Sequence, residues 1–583
     1  MTRAACCAAL LIFLLAPAPA AGAASAVPPA APSSPTAPAV PASKAALSPA
    51  LSALPVSGDQ LLAPQDLNVA PRGFRLTGAQ AGAISDAIGD VRRERKRYPG
   101  NSREVYQKGT DRWQISYFAK VPVGAPRKEI AQVVVDDRSG AVLEAYTNYK
   151  VAWTMARGYP GAFGRVVNSP IVWIPLAVLF VAPFLTVWRR RPRMLHLDLL
   201  VLSAFSVSLA CFNAARIDWS VPLVYPLLAY LVARMLQVGL RRRSVDADAR
   251  RPLELLVPVT WLAVAVVFLL GFRVALNVTR SNVIDVGYAG VIGADRFGDG
   301  RALYGAFPSD NQNGDTYGPV VYEAYLPFEQ ALPWSGKWDD LPAAHAAAIV
   351  FDLLACLLCY LIGRQIRGPD LGTVLAYCWV TYPFTLYASM SNSNDALVAV
   401  LILAAVWAAG RPAARGFLLA LAGLTKFAPL VLAPLFAFHP HPRVRSVAWF
   451  SVGFLLAAGL AFIPLVAHNS LRSFWDASIA FQAQRGSPFS VWGLYEGAWI
   501  DHIQTVVQAV VVLGAIVLAL VPRRRDVVGL AALSAAILIA LQLGVTHWFY
   551  LYIPWFFPLV MIALLGRFGP PVRVSLTGAR PET

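Results

Sequence analysis

The chain has 583 residues, of which 57% are hydrophobic and 14% are charged, and its formal net charge is +17. This composition is too apolar for an ordinary soluble globular protein and predicts a polytopic membrane protein. The positive charge does not indicate nucleic-acid binding, because Lys and Arg fall mostly in short clusters beside apolar segments. The six cysteines predict no disulfide framework, and no second pair or His cluster accompanies Cys356 and Cys359 to form a metal site.

The amino terminus is typical of an exported protein. Residues 1–25 combine one early Arg, an apolar run and small residues, which predicts a secretory signal peptide. Residues 26–71 are rich in Pro, Ala and Ser and poor in charge, so they are predicted to be a disordered tether.

Residues 72–150 predict a small α+β domain. Strand-like stretches rich in β-branched and aromatic residues follow a helix-like stretch that ends near Lys96. The run Val133-Val-Val-Asp-Asp-Arg-Ser-Gly-Ala-Val-Leu143 resembles the strand, turn and strand of PepSY-type domains. That resemblance implies an extracytoplasmic domain for regulation or ligand binding, and a passive folded spacer is the alternative.

Twelve apolar segments follow, each of roughly 17 to 23 residues, enough to cross a hydrocarbon core of about 30 Å as a helix. The first four belong to an amino-terminal group of transmembrane helices (168–276), a polar outer loop follows (277–342), and the rest form a membrane core (343–569) before a cytoplasmic tail (570–583). The segments are 171–188, 197–214, 220–238, 254–276, 343–362, 371–388, 394–410, 416–438, 447–467, 503–521, 527–545 and 548–566.

Charge predicts the orientation of these segments. If the amino-terminal domain is outside, the Arg clusters after the first, third and fifth segments lie in the cytoplasm and the loop 277–342 faces out. The segment 416–438 has basic residues on both sides and contains Lys426, Pro429 and Pro434. A single crossing there would violate the charge rule twice, so a re-entrant hairpin or broken helix is predicted. The result is about eleven crossings plus one hairpin, with the carboxyl terminus in the cytoplasm.

Three polar patches then face the same side of the membrane. The first begins at Asp285 and runs through the outer loop, the second is Ser391-Asn-Ser-Asn-Asp395, and the third extends from His468 to Glu496. Acidic and aromatic side chains suit sugar hydroxyls and ring faces, and cations such as Lys426 suit a phosphate. The sequence therefore predicts a site for a sugar and a phosphate at this face.

Several motifs carry a family resemblance. Asp285-Val-Gly-Tyr288, Gly300-Arg-Ala-Leu-Tyr304 and Tyr317-Gly-Pro-Val-Val-Tyr322 resemble the first large outer loop of GT-C glycosyltransferases. Within that superfamily, these motifs are most similar to those of the polyprenol-phosphate-mannose-dependent mannosyltransferases. Further matches are Ser393-Asn-Asp395, Leu421-Ala-Gly-Leu-Thr-Lys426-Phe-Ala-Pro429, Pro488-Phe-Ser-Val-Trp-Gly493 and Phe549-Tyr-Leu-Tyr-Ile-Pro-Trp555.

The resemblance implies an integral membrane enzyme that moves a sugar from a polyprenyl phosphate to an extracytoplasmic glycolipid or glycan. Mannose is the first candidate for that sugar. It implies that Asp285 is the general base, because a carboxylate can take the proton of a weakly nucleophilic hydroxyl. Lys426 and Arg485 are the candidates for stabilising the departing phosphate. The candidate substrate contacts are Tyr288, Tyr304, Asp315, Tyr317, Asn394, Asp395, Trp492 and His547.

Three points stay open at this level. The loop acid of the family normally follows the first transmembrane helix, whereas here four apolar segments and an exported domain precede it. No cofactor is predicted: Ser309 and Val320 stand where a calcium loop would have Asp and Glu, so metal dependence has no support. The alternatives are a transporter or flippase that uses broken helices for an anionic substrate, and a non-catalytic membrane scaffold.

Overall fold

The computed structural model of the protein describes most of the chain after residue 60. The predicted signal peptide, most of the predicted tether and most of the predicted tail lie outside the described residues. The described residues are 61–120, 128–147, 151, 165–185, 194–214, 216–241, 251–308, 311, 313–336, 338, 340–468, 470–484, 487–495, 498–521 and 524–573.

The described part of the amino-terminal region is an antiparallel sheet of five strands in the order β1-β2-β3-β4-β5, with two helices packed on it. The strands are β1 (Leu61–Leu62), β2 (Ser102–Lys108), β3 (Arg112–Phe118), β4 (Glu129–Asp136) and β5 (Val142–Thr147), and the helices are α1 (Gly78–Asp86) and α2 (Gly89–Arg97). The observed fold is α+β, whereas its PepSY kinship and its place outside the membrane stay predictions.

Local hydrogen bonds define this small domain. A capping box between Thr77 and Gln80 begins α1, because each side chain bonds the backbone N–H of the other residue. The buried carboxylate of Asp137 accepts from the backbone N–H groups of Arg75 and Leu76 and from Nε1 of Trp113. Two details differ from the sequence prediction: the single helix is divided into two, and β1 lies inside the predicted tether.

The rest of the described chain is a bundle of helices. Before the outer loop come α3 (Pro170–Val181), α4 (Met194–Asn213), α5 (Ile217–Leu240) and α6 (Val259–Arg280), and the loop itself contains α7 (Asp285–Gly298) and α8 (Pro319–Ala331). The core contains α9 (Pro342–Arg367), α10 (Pro369–Thr381), α11 (Pro383–Met390), α12 (Asp395–Trp407), α13 (Pro412–Thr425), α14 (Ala433–Ala437), α15 (Val444–Ala467), α16 (Ala498–Leu520), α17 (Val527–Gly544) and α18 (Ile553–Leu565).

Seven helices among the described residues are long and apolar enough to cross a membrane: α4, α5, α6, α9, α15, α16 and α17. Several other predicted segments form shorter helices. The segment 371–388 is divided at Tyr382, because a residue before proline avoids the helical region and Pro383 follows it. The fold is therefore that of a polytopic membrane protein, and the count of eleven crossings stays a prediction.

The segment that contains Lys426 reverses direction. Helix α13 ends at Thr425, and residues 428–437 return along it, so that the side chain of Leu430 lies against Gly423. At the opposite end of this segment, the guanidinium of Arg415 donates to the hydroxyl of Ser446. It is also close enough to His439 for the two side chains to interact electrostatically. Both ends of the segment therefore lie together, and Lys426 lies at the tip of a hairpin.

Basic residues gather at the end of the bundle opposite that tip. The N–H of Arg524 donates to Gly239 at the end of α5, and Arg525 donates to the carbonyl of Pro440. We call the end of the bundle that carries Lys426 the site end.

Among the described residues, two ion pairs with fully buried partners join helices within the bundle. Arg273 of α6 makes two bonds with Asp352 of α9, and Nε1 of Trp379 also donates to that carboxylate. Arg234 of α5 pairs with Asp198 of α4 at 2.9 Å. Because a buried charge is costly without a partner, these pairs fix which helices are neighbours.

A parallel two-stranded ribbon joins distant parts of the chain. Strand β6 (Pro252–Leu255) immediately precedes α6, and strand β7 (Gly569–Arg573) follows α18. The N–H of Gly569 also donates to the carbonyl of Arg251 at 2.8 Å.

Candidate functional site

A hydrogen-bond network joins the first two predicted patches. The buried amide of Asn277, at the end of α6, donates to the carbonyl of Ser389 and to Oδ1 of Asn392. Asn392 in turn donates to Ser281 and to the carbonyl of Asn282. Its φ of 49° lies in the left-handed region, which Asn tolerates better than most residues. The second patch is thereby fixed against the start of the outer loop.

Asp285 lies at this junction as the first residue of α7. The preceding residue, Ile284, donates its N–H to the carbonyl of Ser391. A Cβ at Gly287 would lie 2.1 Å from the carbonyl oxygen of Asn392, so only glycine permits this approach. The amide of Asn311 donates to the backbone carbonyl of Asp285 at 3.0 Å. The half-buried Asp285 is therefore carried by a helix start that packs directly on the second patch.

The outer loop also contacts the hairpin tip and the third patch. The N–H of Gly318 donates to the carbonyl of Thr425, and a Cβ at Gly318 would lie 1.8 Å from the carbonyl oxygen of Leu424. The hydroxyl of Ser478 donates to the carbonyls of Asp315 and Tyr317 at 3.3 Å. All three predicted patches thus meet at the site end.

The centre of this meeting point is an ion pair between Lys426 and Asp395. The ammonium lies 2.6 Å from Oδ1 of Asp395, and that same oxygen accepts from Nε1 of Trp555 at 3.0 Å. The ammonium also lies over three aromatic rings, 5.4 Å from the centroid of Tyr317, 5.7 Å from that of Tyr552 and 5.3 Å from that of Trp555. Cation–π attraction therefore adds to the ion pair.

Several polar atoms beside this pair are enclosed. Within the described part of the chain, the Oδ2 atom of Asp395, both polar side-chain atoms of Asn394 and the hydroxyl of Tyr325 have no hydrogen-bond partner. Each such atom costs about 1–3 kcal/mol unless water or a ligand bonds to it. The start of α12 therefore presents hydrogen-bonding capacity that the protein itself does not use.

Five of the eight predicted substrate contacts are buried: Asn394 and Asp395 at the ion pair, and three others, Tyr288, Tyr304 and Asp315. Tyr288 is 1% exposed, and its ring packs on Trp334 and Trp338. Tyr304 is 3% exposed, and its hydroxyl donates to the carbonyl of Tyr317. The structure gives these two side chains packing contacts that support the loop.

Asp315, the third of them, is also buried. Its Oδ2 accepts from the N–H of Gly305 at 2.7 Å. Burial raises the pKa of the Asp315 carboxyl, while that hydrogen bond and the charge of Arg296 act in the opposite direction. Asp315 therefore shapes the loop in the described structure.

Of the remaining predicted residues, His547 lies next to a ring that borders the ion pair, and Trp492 contacts α17. Nδ1 of His547 lies 2.8 Å from the hydroxyl of Ser487, and its ring centroid lies 6.3 Å from that of Tyr552. Nε1 of Trp492 donates to the carbonyl of Leu543, which holds the third patch on α17. Arg485 lies outside the described residues.

Sequence reasoning missed several residues of this region. Tyr552 and Trp555 belong to a motif that carried the family resemblance, but their position around Lys426 had no local signal. Glu323 on α8 was not selected either, although burial raises the pKa of its carboxyl to about 7. Its Oε1 atom is enclosed and has no hydrogen-bond partner among the described residues.

No group of three or more His, Cys, Asp or Glu side chains is arranged for a metal ion in the part of the chain that the structure describes. The arrangement instead combines a half-buried carboxylate, a cation enclosed by aromatic rings and unused hydrogen-bonding atoms. Such a site can bind a polar ligand that carries hydroxyl groups and a negative charge.

Comparison with known proteins agrees with this chemistry. No curated protein matches the chain. A family model does match: it covers residues 316–544, which include Tyr317, Asn394, Asp395, Lys426 and Trp492, whereas Asp285 precedes the matched region and His547 follows it. The matching model is that of glycosyltransferase family 87, a family of GT-C-type membrane glycosyltransferases, and it indicates that the chain is a membrane glycosyltransferase.

Proposed function

We propose that this protein transfers a sugar, with mannose as the first candidate, from a polyprenyl-phosphate donor to an extracytoplasmic lipid or glycan acceptor. The observation that carries the proposal is that the helix start bearing Asp285 packs on the second patch, and that the same patch supplies Asp395 to the ion pair with Lys426 beside three aromatic rings. Nucleotide sugars are cytoplasmic, so a site on the outer face requires a lipid-linked donor. The family match over residues 316–544 supports the reaction class.

In this proposal Asp285 is the general base. Its carboxylate takes the proton of the acceptor hydroxyl while the oxygen forms a bond to the anomeric carbon. The bond from that carbon to the phosphate oxygen breaks at the same time, and the electron pair leaves with the lipid phosphate. One direct displacement of this kind inverts the configuration at the anomeric carbon.

Lys426 stabilises the negative charge that develops on the departing phosphate. Asp395 holds the ammonium in place, and the surrounding rings exclude water, which strengthens electrostatic interactions inside the site. The enclosed polar atoms of Asn394 and Asp395 support the proposal, because sugar hydroxyls both donate and accept hydrogen bonds.

The other predicted residues have secondary roles in the proposal. Tyr317, Trp492 and His547 contact the sugar or the acceptor, and Arg485 assists Lys426. The buried Tyr288, Tyr304 and Asp315 act indirectly by holding the loop that carries Asp285. The exported domain, the cytoplasmic carboxyl terminus and the sidedness of the site are parts of the same proposal.

Sugar transfer in membranes tests the role of Asp285. Membranes that contain the chain receive polyprenyl phosphate bearing radiolabelled mannose, and label is counted in extracted lipids and glycans. Asp285→Asn keeps the size of the side chain and removes the base, so transfer should fall by about 10²- to 10⁴-fold. Asp295→Asn is the matched control, because Asp295 lies on the same helix in an ion pair with Arg301, and it should retain transfer. Wild-type transfer by Asp285→Asn would contradict the assignment.

One observation favours a transporter or flippase as a second candidate. Ion pairs between membrane helices occur in transporters, and Arg273–Asp352 and Arg234–Asp198 are such pairs. Trp379 donates a further hydrogen bond to Asp352, and Tyr230 donates one to Asp198. Carboxylates held in this way suit a structural role of the two pairs. Directional movement of a lipid-linked substrate without sugar transfer would favour this candidate.

A further inference from the structure

The amino-terminal helices α4 and α5 do more than attach the protein to the membrane. They lie outside residues 316–544, the region that matches the family model. Nevertheless, they contact two segments of the site end: residues 487–494, which end in a short helix (Val491–Leu494) capped by Ser490 and which we call the capping loop, and residues 547–550. These contacts raise the question of what the helices do for the site.

Tyr225 of α5 makes a direct bond to the capping loop. Its hydroxyl oxygen accepts from the N–H of Val491 at 3.1 Å. The neighbouring hydroxyl of Ser490, which is fully buried, accepts from the N–H of Gly493. A Cβ at Gly493 would lie 1.7 Å from the carbonyl oxygen of Ser487, so the loop is folded tightly on itself. The bond to Tyr225 therefore fixes a compact unit.

Phe212 of α4 packs on both segments at once. Its ring centroid lies 5.5 Å from those of Phe489 and Phe549 and 5.6 Å from that of Tyr550. The hydroxyl of Tyr550 also bonds to Ser208 of α4 and Ser220 of α5. Aromatic packing and buried hydrogen bonds thus connect the helix pair to the capping loop and to residues that follow His547.

The capping loop in turn contacts the imidazole of His547. The hydroxyl of Ser487 lies 2.8 Å from Nδ1 of His547, and the ring of Phe489 lies 5.9 Å from the imidazole, centroid to centroid. The imidazole also faces Tyr552, whose ring borders Lys426. A displacement of the loop would therefore change the position of His547 beside the ion pair.

We propose that Tyr225 is a positioning residue: through the capping loop it holds His547 at the site, so that the amino-terminal helix pair completes the active site of this protein. The effect on transfer rests on the proposed function, whereas the effect on the loop does not. The matched control is Tyr382, whose hydroxyl donates to the carbonyl of Leu202 and thus joins α4 to the core through α11 without contacting the loop.

Hydrogen exchange of the full chain in lipid nanodiscs tests the positioning directly. Loss of one hydrogen bond in Tyr225→Phe should speed amide exchange in residues 487–494 by about five- to tenfold. Tyr382→Phe should leave exchange in this loop unchanged. Equal exchange in Tyr225→Phe and wild type, or an equal increase in both variants, would overturn the inference.

Transfer kinetics provide the second measurement. If wild type transfers sugar, Tyr225→Phe should lower kcat with little change in the KM of the donor, whereas Tyr382→Phe should change neither. An unchanged kcat in Tyr225→Phe would overturn the inference. If wild type transfers no sugar, the proposed function fails, and the exchange measurement still decides whether Tyr225 positions the loop.

Discussion

Lys426 shows how a single, largely enclosed charge is accommodated among aromatic rings at the site end. An isolated ammonium would be costly there, but Asp395 balances its charge and three rings surround it. A donor phosphate would share the ammonium with Asp395. We therefore expect Lys426 to bind the ground state weakly and to stabilise the departing phosphate more strongly as its charge grows.

The sequence identified both members of this pair but not their pairing. Lys426 and Asp395 are 31 residues apart, one just after the end of α13 and the other at the start of α12, and no local pattern connects them. Asp395 could be explained by its position at a helix start, and Lys426 by its position in an apolar segment. Only the reversal of the chain at the hairpin tip brings the two together.

Glu323 predicts a measurable dependence of stability on pH. Burial raises the pKa of its carboxyl from 4.5 to about 7 in the folded protein. Between these values the folded state binds more protons than the unfolded state, so stability falls as pH rises. Glu323→Gln removes this loss and should melt at a higher temperature than wild type at pH 8, with a smaller difference at pH 5.

Thermal unfolding in detergent at several pH values measures this effect. Asp299→Asn, which removes an exposed carboxylate, controls for the change in net charge and should follow wild type. Parallel curves for wild type and Glu323→Gln across the pH range would contradict the prediction.

At the scale of elements, glycines allow the loops to dock. The start of α7 lies against the second patch, and the start of α8 lies against the hairpin tip. Both approaches are backbone to backbone, at Gly287 and Gly318. A side chain at position 287 would push α7, which carries Asp285, away from the second patch. A side chain at position 318 would push α8 away from the hairpin tip that carries Lys426.

Gly287→Ala should therefore impair the site. The added Cβ would lie 2.1 Å from the carbonyl oxygen of Asn392, so the helix start must move and sugar transfer should fall at least about tenfold. Gly271→Ala is the matched control, because nothing lies within 4 Å of its Cβ, and it should be neutral or slightly stabilising. Full transfer by Gly287→Ala would show that this contact does not position Asp285.

The elements themselves were largely readable from the sequence. Long apolar segments predicted the seven described helices that are long and apolar enough to cross a membrane, because a bilayer requires about 20 apolar residues per crossing. The division of 371–388 at Pro383 was also within reach of a local rule. The docking of the loops was not, since it depends on backbone hydrogen bonds such as Ile284 to Ser391 between residues far apart in sequence.

At the scale of the whole molecule, buried charges fix the arrangement of the helices. Arg273 is 1% exposed and Asp352 is 4% exposed, so neither can rely on water. Both lie in apolar segments of the sequence, where an ionisable residue indicates that a specific partner is present. Sequence reasoning could have selected them, but it could not identify the partner of each.

Breaking this pair should destabilise the bundle. Asp352→Ala leaves the Arg273 guanidinium buried without a counter-charge, and such losses cost about 3–5 kcal/mol. Asp370→Ala, at an exposed helix start, should cost much less. Unfolding by denaturant in mixed micelles measures both variants, and equal stability of Asp352→Ala and wild type would contradict the structural role of the pair.

The parallel ribbon has a consequence for biosynthesis. Strand β6 is made before α6, but its partner β7 is made only after α18. The backbone groups of β6 that pair with β7 must therefore wait until all the helices from α6 to α18 have been made. A nascent protein truncated before residue 569 would lack β7, so the ribbon joins the two ends of this helical region only after α18 has been made.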